Sequence, residues 1–214
     1  LSDIGAITAS SSATLTNKSI AASQLTGALP AISGAALTNL PGGAELYAAN
    51  PDSATDPTAG GLNSVAIGNN AVVTNAGSGV NGSKSIAIGH NSSLTGQNAI
   101  GAGREAAVSG AYASGFGYKA TSAGTQSHAA TNSYASGSNS FAAAIANNTA
   151  SYGATAANSI AIGYQAKASG SKSIALSGEN AAASGSGSFA AGGEYQTASG
   201  AYSVAIGGSV NTAS

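Results

Sequence analysis

Few side chains in this sequence of 214 residues can do chemistry: it has no cysteine, two histidines and seven carboxylates. Glu179 and Glu194 are the best-placed pair. Each follows a glycine, in Ser177-Gly178-Glu179 and Gly192-Gly193-Glu194, at matching places in adjacent repeats. Two carboxylates brought close can cleave a glycosidic bond, one as acid and the other as nucleophile or base. Stacked surface acids on neighbouring coils are the commoner outcome of such a pattern, and hydrolysis is not expected.

The two histidines differ in setting. His90 follows a motif glycine in a turn and is expected to be exposed. His128 stands where its repeat normally carries Val or Ile. If register holds there, three copies converge near a rotation axis and hold an ion or ordered water. The sequence favours the plainer outcome, a slip of this worn copy that turns His128 away. A nucleophilic triad needs an acid behind its histidine, and neither histidine shows one.

Metal and cofactor chemistry fares no better. Without cysteine there is neither a disulfide framework nor a thiolate site. Calcium-binding β-rolls take their ligand from the Asp of Gly-Gly-x-Gly-x-Asp, and no Asp follows Asp56. Glu45, Asp52 and Asp56 read as solvated loop acids rather than a cation site. Gly101-Ala102-Gly103-Arg104-Glu105-Ala106 and Gly115-Phe116-Gly117-Tyr118-Lys119-Ala120 have the form G-x-G-x-x-A. A dinucleotide fingerprint needs a strand before it and a helix after it, whereas these are successive copies of a repeat. No catalytic residue, metal or cofactor is expected. Tyr112, Tyr118, Tyr134, Tyr152, Tyr164, Tyr195 and Tyr202 could stack on sugars or a partner. They could equally cover turns, so the receptor-binding residues stay unassigned.

What positions all of these is a unit of 14 residues, Ser-(Val/Ile)-Ala-Ile-Gly-x-x-Ala-x-Ala-Ser-Gly-x-x. Its cleanest cores are Ser64–Gly68, Ser85–Gly89, Ser159–Gly163 and Ser203–Gly207, with worn copies starting at Ala99, Ala113, Ser127, Ser140 and Ser188 and one more from Ser173. Repetition at a fixed period signals stacked coils, about ten here. Two insertions, Asn75 to Gly82 and Ala150 to Asn158, are expected as outward loops.

Strand alternation assigns the faces. In Ser-Val-Ala-Ile-Gly the Ser and Ala point one way and the Val and Ile the other. Two short strands per coil make a narrow roll with room inside only for Ala, Ser and Gly. The bulky residues Val65, Ile67, Ile86, Ile88, Ile160, Ile162, Ile174, Val204 and Ile206 then project and need cover. Identical chains around a rotation axis supply it most economically. Composition agrees: Leu, Ile, Val and Phe are 15% of residues, too few for an ordinary single-chain core, and the net charge is only −1. A homotrimer is therefore expected. Six basic residues argue against nucleic acid, whose phosphates demand Lys/Arg clusters. No run approaches the length of a membrane span, so no membrane insertion is expected in this segment.

Residues 1–45 lack the period and are read as an extended fibre shaft or linker. A Pro/Asp/Gly loop junction at 46–62 leads into the array at 63–214. Ala22-Ser23-Gln24-Leu25-Thr26-Gly27-Ala28-Leu29-Pro30 and Ser33-Gly34-Ala35-Ala36-Leu37-Thr38-Asn39-Leu40-Pro41 resemble linker segments of bacteriophage tail fibres. The chain opens on Leu1 and stops inside a repeat, as a piece of a longer polypeptide would.

The recurring Ser-(Val/Ile)-Ala-Ile-Gly followed by Ala-x-Ala-Ser-Gly resembles the head repeat of trimeric autotransporter adhesins, the YadA-like head, over about residues 63–214. The resemblance implies a left-handed parallel β-roll in a tight homotrimer that binds surfaces or matrix proteins. The family's neck, coiled-coil stalk and anchor barrel have no counterpart in the residues read here. Together these features point to an all-β, non-enzymatic, trimeric fibre segment of a phage tail or capsid appendage, on the virion surface. It would join other virion proteins through its N-terminal side and bind a host cell-surface glycan or protein. The alternative is the head of a bacterial surface adhesin; a tailspike-type glycan hydrolase is the third reading.

Overall fold

The computed structural model describes residues 55–74, 83–146 and 149–214. The expected shaft at 1–45, the junction as far as residue 54 and the insertion from Asn75 to Gly82 lie outside the described residues. Those described form a parallel β-solenoid with no helix among them. Its strands fall alternately into two sheets, of ten and eleven strands. The ten-stranded front sheet runs from Val65–Ile67 to Val204–Gly207, and the eleven-stranded back sheet from Thr58–Ala59 to Asn211–Ala213.

One coil is one front strand, a turn, one back strand and a second turn. Front strands begin at Ile86, Ile100, Ser114 and His128, 14 residues apart, and then at Phe141, Ile160, Ile174, Phe189 and Val204. Every worn copy keeps register with its neighbours. Ser114 pairs with His128, His128 with Phe141, and Phe141 with Ile160. Strands of two or three residues survive because each backbone group bonds the coil above or below, so the ladder is continuous although each rung is short.

The turns belong to the same ladder. One residue in nearly every turn adopts the left-handed conformation: Asn98 at φ 52° on one edge, Lys119 at φ 52° on the other. Each still donates its N–H to the preceding coil, Asn98 to Ser83 O at 2.9 Å and Lys119 to Arg104 O at 3.0 Å. Asn recurs at these sites because it tolerates that conformation best after Gly. The motif serine closes the turn before it: Ser159 Oγ donates to Ala156 O at 2.7 Å and Ser127 Oγ to Gly124 O at 2.7 Å. The glycine of Ala-Ser-Gly is needed for a different reason. A Cβ on Gly110 would run into Gly124 O, and one on Gly124 into Gly137 O. Coils stack too closely at that corner for any side chain.

The interior is a column of Ala87, Ala129, Ala142, Ala161, Ala175, Ala190 and Ala205 facing the small residues of the back strands, all fully buried. The expectation of Ala, Ser and Gly alone is corrected at five positions. Val73, Leu94, Val108, Ile145 and Gln196 are also buried inside. Leu94 and Val108 fit because the front strands opposite carry Gly101 and Gly115 in place of Ala. Added Cβ atoms there would lie 2.6 Å from Leu94 Cδ1 and 2.9 Å from Val108 Cγ2. Gln196 is anchored by its Nε2, which donates to Glu194 O at 2.7 Å and to Ser209 O.

Two boundaries also move. Thr58–Ala59 already pairs with Val72–Val73, so the solenoid begins inside the loop expected at 46–62. The second insertion was expected at Ala150–Asn158, yet Gly153–Ala154 is a regular back strand pairing with Lys167–Ala168. The extra residues come earlier, between Phe141–Ala143 and that strand. Ile145 roots this longer turn: its side chain is buried, its N–H meets Ser133 Oγ at 3.3 Å, and its carbonyl accepts from Gln165 N at 2.9 Å.

Candidate functional site

The front sheet turns one residue in two outward, and most of these are large and apolar. Val65, Ile86, Ile88, Ile162, Val204 and Ile206 are 36–61% exposed, and Ile67, Ile160 and Ile174 are half-buried by their neighbours in the row. All nine stand on this one outer face, in register. None turns into its own coil, where Ala66, Ala87, Ala161, Ala175 and Ala205 sit. Ile100, Phe116, Phe141, Leu176 and Phe189 share the face in the same register. They were legible as the matching positions of worn repeats.

His128 lies within this face. The favoured slip of its coil does not occur: its Cα partners are Ser114 and Phe141, and its N–H donates to Ser140 O at 2.8 Å. Backbone pairing with both neighbours holds the register whatever the side chain. Its ring stacks on Phe141, with centroids 5.2 Å apart and planes 6° from parallel, and tilts against Phe116 at 5.6 Å. Nδ1 lies 2.7 Å from Ser114 Oγ. Partial burial among these groups pushes its pKa below the ordinary histidine value.

A second patch occupies the turn edge that follows the front strands. Glu105 pairs with Arg104 at 3.0 Å and with Lys119, one coil on, at 3.6 Å. Both cations lie over the Tyr118 ring, Arg104 at 5.5 Å and Lys119 at 5.2 Å from its centre. Tyr118 first, and then Glu105, raise the pKa of Lys119. Beside the cluster is a groove of about 480 Å³ whose lining includes Glu105, Lys119, Thr121, Asn132 and Thr149. Nothing in the sequence marked Arg104, Glu105 and Lys119 as a group, because adjacency across coils is visible only once the register is known.

Glu179 and Glu194 do meet, as Cα partners in neighbouring front strands. They stand side by side along one edge, with Glu194 exposed. Glu179 Oε1 accepts from Asn180 Nδ2 at 3.2 Å. Two carboxylates stacked in this way do not face each other across a bond to be cut. His90 is exposed in its turn. Gly101–Ala106 crosses from a front strand to a back strand with no helix following, which removes the nucleotide reading. Of the tyrosines, Tyr112, Tyr118, Tyr164, Tyr195 and Tyr202 are exposed. Tyr202 also covers Gly187, where a Cβ would lie 2.9 Å from its ring. Tyr152, just before the strand Gly153–Ala154, packs against the core.

The YadA head domain repeat family matches residues 59–92, 154–176 and 197–209. These segments include all four of the cleanest repeat cores and leave the worn coils between them unmatched. No curated protein matches the chain. The solenoid thus carries YadA-like head repeats, and the register shows that the unmatched coils continue the same winding.

Proposed function

We propose that the chain is a structural and adhesive segment of a homotrimeric fibre displayed at a surface. Three front faces close on one another, while turn edges and back sheets meet a target. The row of large apolar side chains along nine of the ten front strands carries this reading. Fourteen such residues, at about 1 kcal/mol apiece for the area still open, give roughly 40 kcal/mol over three chains. Two associations cost about 4–15 kcal/mol each in lost freedom, so burial wins. Three copies rather than two follow from the likeness to YadA head repeats. Three identical target-facing edges raise avidity for a repetitive cell surface without strong single contacts.

We read the fibre as non-enzymatic, since the adjacent Glu179 and Glu194 lack an opposed arrangement. For its setting we propose a bacteriophage tail or capsid appendage on the virion surface, joined to other virion proteins through its N-terminal side. The likeness of Ala22–Pro30 and Ser33–Pro41 to tail-fibre linkers supports that setting. The matched head repeats favour a second one, the head of a bacterial adhesin that binds host matrix. Sedimentation equilibrium of the purified chain tests the assembly, and a monomer at micromolar concentration would end it. Immunogold labelling separates the settings, with gold on virions supporting the first and gold on bacterial envelopes the second. Release of sugar from a host polysaccharide by the intact chain would overturn the non-enzymatic reading.

A further inference from the structure

We propose that the groove beside Arg104, Glu105 and Lys119 binds an acidic saccharide, and that this is where the fibre grips its target. The inference rests on the adhesive reading and adds to it a place and a ligand class. Three observations converge on that groove. The solenoid is nearly uncharged: from residue 63 onward only eight of its side chains are Lys, Arg, Asp or Glu. Three of these eight fall on two adjacent coils here, joined by the ion pairs of Glu105. Ala146 and Thr149, from the longer connection between two strands, line the groove as well.

The lining, to which Glu105 and Lys119 belong, and Arg104 beside it together select the ligand. Tyr118 and Glu105 together hold two cations in place, but Glu105 supplies only one negative charge. One carboxylate or sulfate from a ligand balances the remaining positive charge, and charge-assisted contacts of that kind are the strong ones. The rest of the lining offers hydroxyl and amide groups from Thr121, Asn132 and Thr149, which suit sugar hydroxyls. Its apolar part is only Ala107 and Ala146, too small to seat an apolar ligand. The volume falls within the roughly 300–1,000 Å³ usual for small-ligand clefts.

Fluorescence anisotropy of the full chain with three labelled oligosaccharides of equal length tests the proposal: one uronate-bearing, one sulfated, one neutral. Binding is expected for at least one acidic probe and at least tenfold weaker for the neutral one; which acidic probe binds distinguishes carboxylate from sulfate as the source of charge. Arg104→Gln with Lys119→Asn, where Asn keeps the left-handed turn, is expected to weaken binding tenfold or more. Glu105→Gln is expected to strengthen it, because the cations lose their competitor. Lys167→Gln removes one positive charge from the back sheet and is expected to change nothing. No binding of any probe, an unchanged affinity in the double variant, or an equal loss with Lys167→Gln overturns the proposal. Adhesion of the same preparations to cells is scored separately. Adhesion that survives the double variant sinks the groove and leaves the adhesive reading standing.

Discussion

Leu94 and Gly101 occupy one space from opposite sides of the roll. Leu94 is fully buried on a back strand, and a Cβ at Gly101 on the facing front strand would lie 2.6 Å from its Cδ1. The coils stack in register, so at these two coils a large residue on one wall is matched by a missing side chain on the other. Val108 and Gly115 repeat the exchange one coil on.

That exchange makes the two sites non-additive. Gly101→Ala should overpack and cost about 1–3 kcal/mol, toward the lower end because the obstructing atom is the tip of a flexible side chain. Leu94→Ala should cost about 2–5 kcal/mol through a cavity. Together they restore an Ala-facing-Ala arrangement like that of Ala161 and Ala168, and the double variant should be more stable than the sum predicts by at least about 1 kcal/mol. Thermal unfolding of all four proteins checks this; strict additivity would show that the two do not share the space.

Why the coil is legible in sequence and this compensation is not follows from the same geometry. Ser-Val-Ala-Ile-Gly announces its faces because each strand alternates. The turn glycines and asparagines announce the corners, because stacking forbids a Cβ at one and the left-handed conformation favours Asn at the other. Leu94 and Gly101, read singly, look like two unrelated worn copies; their complementarity exists only between coils. The insertion near Ala150 is misplaced in sequence because Gly153–Ala154 differs from Ala-x-Ala-Ser-Gly, while Ile145 disguises a turn as a core residue. The patch of Arg104, Glu105 and Lys119 is hidden for the same reason as Leu94, being assembled across coils.

The two kinds of turn position should respond oppositely to substitution. Gly110 has no strained φ, yet its Cβ would meet the backbone of the next coil, which cannot yield as a side-chain tip can. Gly110→Ala should therefore lower the melting temperature more than Gly101→Ala does. Lys172 sits exposed at φ 58°, where a lysine is strained by about 1 kcal/mol. Lys172→Asn should raise the melting temperature by a few degrees. A stabilising Gly110→Ala would contradict the close stacking of the coils.

Charge placed on the front face should separate assembly from folding. Ile88 and Ile162 are 41% and 38% exposed on their own solenoid, so Asp there removes little from the internal core. Within a closed seam the same change buries a carboxylate from every chain, each costing several kcal/mol. Ile88→Asp with Ile162→Asp should sediment as a monomer while its far-ultraviolet circular dichroism stays that of a β-solenoid. A trimer that persists unchanged in this variant would show that the front face is not the seam.

His128 should make stability depend on pH, and the sign is set by its surroundings. Ser114, Phe116 and Phe141 face the ring, none of them charged, and burial lowers its pKa from the ordinary value of 6.5. The unfolded chain then binds the proton more readily than the folded one, so stability rises with pH through the interval between the two pKa values. Above about 6.5 the imidazole is neutral in both states and the contribution is fully present; it is lost as pH falls through the folded value. Closing the seam of a trimer over the ring would depress the folded value further and steepen the loss. Melting temperatures between pH 7.5 and 4.5 should fall more for the natural chain than for His128→Phe, which keeps the stack with Phe141. Equal slopes for the two proteins would mean that His128 stays solvated on an uncovered face, contrary to the proposed seam.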